Sequence, residues 1–263
     1  MNNINIDDIK KLRKLTGIGI LECKKSLIKS KGNIKLAIDI IRKYGTKISI
    51  LKTNNTISNG IILIQKSEKK KIIIMLEIKC ETDFVSKNIK FKLFGKKILN
   101  YILNKNIYDI NLINIKFKSK LEYLVSKICE NIKITRLSYL KGENLGFYLH
   151  RSRIGVIISS IKCKESILNK IAMHIAAYKP KYINTIDISN NLLNHEKNIQ
   201  MEIAINSGKT YKISKKIVVG RMDKFIQEIT LNNQEFIIDN KKTINQILSL
   251  NKTKINNFIL FEI

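Results

Sequence analysis

Residues 72 to 91 read IIIMLEIKCETDFVSKNIKF, and two different periodicities meet inside this stretch. Ile72 to Ile78 is a short β-branched, apolar run, the pattern of a buried strand. Phe91, Phe94, Ile98 and Ile102 then recur at helical spacing on an otherwise basic segment. Between them stand Glu81, Thr82, Asp83, Phe84 and Val85, at the C-terminal end of a strand and just before a helix. Local pattern alone makes Asp83 a helix-capping carboxylate and Phe84 a core aromatic.

Working outward, the same strand-then-helix reading extends to a mixed region. Strands are expected near Gly60 to Gln65 and Ile72 to Lys79, followed by helices at about Asn88 to Leu103 and Lys116 to Ile128. A strand near Lys133 to Leu140 precedes the segment GFYLHRSRIGVIISSIK, which reads as two strands joined around Arg151, Ser152 and Arg153. A helix from about Ser166 to Tyr178 stops before Pro180, the only proline. Consecutive strands followed by consecutive helices favour an α+β arrangement over a wound parallel sheet.

The flanks differ in character. Up to about Gly45 three short helices are expected. Ile6, Ile9 and Leu12 form the first stripe, Thr16-Gly17-Ile18-Gly19 breaks it, and Leu21, Lys24 and Leu27 begin the second. Gly32 supplies a stop and Asn33 a cap for the third. Lys52 to Asn59 reads as a linker. From Ser189 two polar helices flank Ser207-Gly208-Lys209, with Leu192, Ile199 and Ile203 answered by Ile213, Ile217 and Phe225 across a narrow seam. A strand pair near Glu228 to Ile238, a short helix near Thr243 to Leu250 and a strand at Phe258 to Glu262 complete the chain.

Composition bounds the function. The 263 residues carry 49 Lys and Arg against 21 Asp and Glu, a formal charge of +28. Such a charge points to nucleic acid or an acidic partner. Lysine, asparagine and isoleucine share A- and T-rich codons, however, and are abundant throughout, so much of the basicity reads as mutational bias. Apolar runs fall far short of the roughly 18 to 20 residues that span a bilayer. The N-terminus has neither a secretory nor an organelle-presequence pattern, so a cytoplasmic location is expected. Cys23, Cys80, Cys129 and Cys163 form no metal-ligand spacing and are read as reduced, mostly buried thiols. Gly208-Lys209-Thr210 resembles the end of a phosphate-binding loop, but the upstream glycine position is Ile203. His174 falls near an apolar helix face and reads as a packed histidine. No catalytic signature emerges, which favours a protein acting through its surface.

An ordered set of motifs carries a resemblance. LRKLTGIGILECKKSLIKSKGNIKLAIDIIRKYG is similar to the N-terminal module of bacterial elongation factor Ts, and ETDFVSK, ICENIKITR, HRSRIGV, IAMHIAAYKPKYI, GRMDKF and TINQIL continue the pattern in order. The resemblance implies an α+β fold in three parts. These are a ubiquitin-associated-like helical module and linker at 1–55, the N-terminal half of a core at 56–140, and its C-terminal half at 141–263 with a coiled-coil hairpin at about 189–226. It implies a guanine nucleotide exchange factor for elongation factor Tu, in its GDP-bound and nucleotide-free forms. No cofactor, catalytic chemistry, membrane or nucleic acid is required.

Residue by residue, the resemblance assigns Thr82, Asp83, Phe84 and Val85 to the segment that displaces magnesium from the partner. Ile20, Leu21, Lys24, Ile128, Cys129 and His150 match partner-contact positions, although Ile20 and Leu21 also suit the core of a helical module. The chain departs from the family at Cys129 and Arg151, where glycine is frequent, and at Ile20-Leu21, where a methionine pair is usual. Many members carry a helical tail beyond the position of Ile263. A basic ribosome-associated RNA-binding protein is the competing expectation, resting on charge alone.

Overall fold

The computed structural model describes residues 5–16, 19–41, 56–208 and 210–263. Helices and small sheets are mixed, as expected for an α+β chain. Two compact units are distinguished: residues 1–65 with 74–138 and 263, and residues 66–73 with 139–262.

At the N-terminus α1 (Ile6–Thr16), α2 (Ile20–Lys29) and a third helix, α3 (34–41), surround their own small core of Leu12, Cys23, Leu27 and Ala37. Gly32 ends α2 with φ +87°, its N–H donating to the Leu27 carbonyl, and Asn33 caps α3 through Leu36 N–H at 3.2 Å. Residues 17–18 of the expected break and residues 52–55 of the expected linker lie outside the described residues.

Strands β1 (Asn59–Ser67), β2 (Ile72–Cys80) and β3 (Ile132–Lys141), most of whose residues belong to the first unit, form a sheet with β2 in the middle. Every β2 residue but Lys79 is buried, so its apolar run reflects burial on both faces. Glu77 interrupts that run. Its carboxylate, almost wholly buried, accepts from the Thr135 hydroxyl and the Arg136 guanidinium of β3. Against the sheet pack α5 (Ile89–Lys105) and α6 (Ile110–Ile128), with Phe91, Phe94, Ile98, Ile102 and Phe117 facing inward. Gly95 permits the close approach of α5, since a Cβ there would lie 2.2 Å from Leu63 Cδ1. Helix α6 begins at Ile110, earlier than the expected Lys116, because Asp109 caps it by accepting from Asn111 N–H at 2.7 Å. A short helix, α4 (Asp83–Lys87), fills the junction between β2 and α5.

The second unit is built on an antiparallel sheet in the order β4 (Asn144–His150), β5 (Ile154–Ser160), β8 (Ile255–Glu262). Helix α7 (Glu165–Tyr178) covers it, and its close approach rests on Gly146, where a Cβ would lie 2.5 Å from Leu168 Cβ. As expected, His174 is packed: it is wholly buried on α7, between Gln234 and the Ile237 N–H. Helices α8 (Asn190–Asn206) and α9 (Tyr211–Ile229) form the hairpin. Its fully buried seam consists of Ala204, Ser214 and Val218; of the expected seam residues Leu192, Ile217 and Phe225 are half-buried, while Ile199, Ile203 and Ile213 are exposed. The expected strand pair at 228–238 is displaced. Helix α9 continues to Ile229, and the pair is β6 (Glu235–Phe236) with β7 (Asp239–Thr243), followed by α10 (Ile244–Leu250).

Candidate contact surface

The junction after β2 is held by side chains that reach across sequence. Thr82 donates from its backbone N–H (3.0 Å) and its hydroxyl (2.6 Å) to the two oxygens of Glu130. In return, Glu81 accepts from the backbone N–H of Asn131. Asn59 Nδ2 donates to the Glu81 carbonyl at 2.9 Å, and the Cys80 thiol donates to the Thr82 carbonyl at 3.2 Å. Burial pushes the Cys80 thiol up to about 12, so it keeps its proton for that bond. Two carboxylates therefore clamp residues 81–82 to residues 130–131 in reciprocal fashion.

From this clamp Thr82 leaves in extended conformation and α4 starts at Asp83. Val85 is buried and anchors the turn, whereas Phe84 is 80 % exposed. The core alternative for Phe84 is thereby overturned. A helix places successive side chains about 100° apart, and the inward position belongs to Val85. Asp83 is no N-cap either: Thr82 holds that position without a side-chain cap bond. The Asp83 carboxylate instead pairs with Lys87 at 2.6 Å, which holds it below the usual carboxylate range and so ionised at neutral pH.

Ile128 and Cys129 stand where α6 runs into the clamp, both half-buried. Cys129 is the C-cap, with φ 61° and its N–H donating to the Val125 carbonyl at 2.7 Å. On α2, Cys23 and Leu27 face the core, while Ile20 (54 %), Leu21 (73 %) and Lys24 are exposed. The core alternative for Ile20 and Leu21 is excluded by that exposure. His150 ends β4, in the second unit, and is exposed. Tyr148 stacks on its ring and its hydroxyl lies 3.2 Å from His150 Nδ1. The following turn places Arg151 and Ser152 at φ 50° and 59° and is closed by Arg153 N–H donating to the His150 carbonyl at 2.9 Å. Positive φ at both central positions is the geometry of primed hairpin turns, which favour glycine.

The structure thus brings Thr82 to Val85 together with Ile128 and Cys129, and places Ile20, Leu21 and Lys24 on one helix face. Glu81 and Glu130, which make the clamp, lie inside the motifs ETDFVSK and ICENIKITR, but sequence reasoning assigned neither of them a role. Their signal was weak but present: carboxylates are scarce in this chain, and these two directly adjoin the assigned residues Thr82 and Cys129.

Among the described residues no group of three His, Cys, Asp or Glu side chains could hold a metal ion, and no helix is long and apolar enough to cross a membrane. Fold and site together define an α+β protein whose candidate site is an exposed aromatic on a clamped turn. Residues 81–263 match the family model described as Elongation factor TS. Over 262 residues the chain is 46 % identical to an "Elongation factor Ts" of Blochmanniella pennsylvanica, covering 99 % of this chain and 96 % of that one. Proteins of the same name from Sodalis glossinidius (43 %, covering 100 % of this chain and 92 % of that one) and Photorhabdus laumondii (41 %, 100 % and 93 %) are similar over their length. The chain belongs to the elongation factor Ts family, and so to the factors of translation elongation.

Proposed function

We propose that this chain binds elongation factor Tu in its GDP-bound and nucleotide-free forms and promotes exchange of GDP for GTP, with no cofactor or catalytic chemistry of its own. In this reading Asp83 and Phe84 enter the partner and displace its magnesium, held on the turn by Thr82 and Val85. Ile20, Leu21, Lys24, Ile128, Cys129 and His150 supply further contact. The N-terminal helices act as a ubiquitin-associated-like module over 1–55, the core halves span 56–140 and 141–263, the α8–α9 hairpin is a coiled coil, and the site of action is the cytoplasm.

The observation that supports this best is the exposure of Phe84 on a turn that two carboxylates hold rigid. A large aromatic kept in water costs stability unless a second surface covers it, and burying it would contribute about 1.5 to 3 kcal/mol. A thousandfold weakening of GDP requires about 4 kcal/mol of interaction made only with the nucleotide-poor state. Phe84 falls short alone, so the carboxylate and the other residues of the surface must contribute. Linkage makes the effect reciprocal: GDP weakens the complex by the same factor.

Release of fluorescent GDP from elongation factor Tu is expected to accelerate on addition of the protein, and Phe84→Ala is expected to cut that acceleration about tenfold or more with an unchanged melting temperature. Unaltered release at saturating protein would overturn the proposal.

A further inference from the structure

Charge is segregated between the two helical hairpins in a way that mutational bias does not explain. Each consists of a 17-residue and a 19-residue helix. Helices α5 and α6 together hold nine lysines and a single acidic residue, Glu122, whereas α8 and α9 hold six basic and four acidic residues. A codon bias acts on both alike, so depletion of carboxylates from α5–α6 is a property of that surface. None of its nine lysines forms an ion pair among the described residues.

Within α6, Lys116, Lys120, Tyr123 and Lys127 recur at i, i+4, i+7 and i+11, one stripe along the helix. Aromatic rings underlie it. Lys116 Nζ lies 5.8 Å from the centre of the Tyr101 ring on α5, Lys120 Nζ 5.4 Å from Phe117, and Lys127 Nζ 4.5 Å from Tyr123. Tyr123 is itself 59 % exposed. In the linear chain Lys116-Phe117-Lys118 already alternates, but Phe117 is buried; the helix brings the exposed Tyr123 into the lysine stripe by stacking residues three, four and seven apart.

A lysine stripe with an exposed aromatic face is the arrangement that tracks a phosphate backbone and offers a base a surface to stack on. The stripe rises by about 16 Å over eleven residues, long enough for several phosphates. We infer that the outer face of α6, flanked by the lysines of α5, binds a single strand of nucleic acid, and in a translation factor the strand at hand is RNA. Acidic protein would satisfy the lysines as well; the exposed tyrosine set between them is what favours a stacked base.

The test is fluorescence anisotropy of a short labelled oligouridylate against the full chain at graded salt. Binding is expected to weaken linearly in log–log form, and Lys116→Gln with Lys120→Gln to reduce the slope by about 1.4, or 0.7 for each single-strand phosphate that is no longer neutralised. Tyr123→Ala is expected to weaken oligouridylate roughly fivefold or more and leave inorganic polyphosphate, which has no bases, unaffected. As a control, Lys215→Gln with Lys216→Gln on the hairpin helix α9 should change little. Absence of binding at low salt overturns the inference, as does equal loss of affinity from both lysine pairs, which would mean diffuse attraction to net charge. Indifference to Tyr123→Ala with equally tight poly-glutamate binding overturns it in favour of an acidic protein.

Discussion

Cys129 occupies a left-handed backbone position, φ 61°, that a side chain with a Cβ enters only at a cost of roughly 1 to 2 kcal/mol. Glycine enters it freely, at the expense of a more flexible unfolded chain. Cys129→Gly is therefore expected to stabilise the protein by about 1 kcal/mol, read as a rise of roughly 2 to 4 °C in the melting temperature. The departure from glycine visible in the sequence thus has a backbone meaning that only the cap geometry supplies. Phe84 illustrates the opposite limit. Its position between strand and helix was legible from residues 72 to 91, but its exposure was not, because which of Phe84 and Val85 faces inward depends on the angle at which a five-residue helix leaves the clamp.

At the scale of elements, Gly146 and Glu130 test different kinds of contact. A Cβ at position 146 would meet Leu168 Cβ at 2.5 Å and its backbone carbon at 3.1 Å, atoms fixed by α7 itself. Gly146→Ala is expected to destabilise the second unit by about 2 kcal/mol, measured by urea unfolding, because the helix must lift from the sheet. Glu130→Ala removes both acceptors of Thr82 and should cost about 1 to 3 kcal/mol by the same measurement. Under the proposed function it should also slow GDP release while Phe84 is still present. Most strands and helices were legible from periodicity: β2 from its apolar run, α5 from Phe91, Phe94, Ile98 and Ile102, and the β4–β5 hairpin from the residues around Arg151 to Arg153. Misplacements arose where polar capping or small residues decide. Asp109 extended α6 backwards, Ala204, Ser214 and Val218 took the fully buried places of the hairpin seam, and the β6–β7 pair formed later than expected after α9 ran on to Ile229.

For the whole molecule, pH acts through His174, the buried one of three histidines. Burial holds its ring below the ordinary value of 6.5, the hydrogen bond with Gln234 opposing only in part. Accepting from Ile237 N–H at Nδ1, the neutral ring carries its proton on Nε2 and donates it to Gln234 Oε1 at 2.9 Å. The unfolded chain takes up a proton at about pH 6.5, whereas the folded ring refuses it until lower pH. Stability present above that value therefore diminishes as pH falls below it, at up to about 1.4 kcal/mol per pH unit until the folded ring titrates. Melting temperatures taken from pH 7.5 to 5.5 are expected to fall, and His174→Gln to flatten that profile. The reciprocal clamp of Glu81 and Glu130 has a mechanical corollary. Its bonds join residues 48 and 50 positions apart, at the end of β2 and the start of β3, so the base of the turn bearing Phe84 is tied to the sheet across a long stretch of chain. A load applied to the turn is thereby shared with the strands on either side of it.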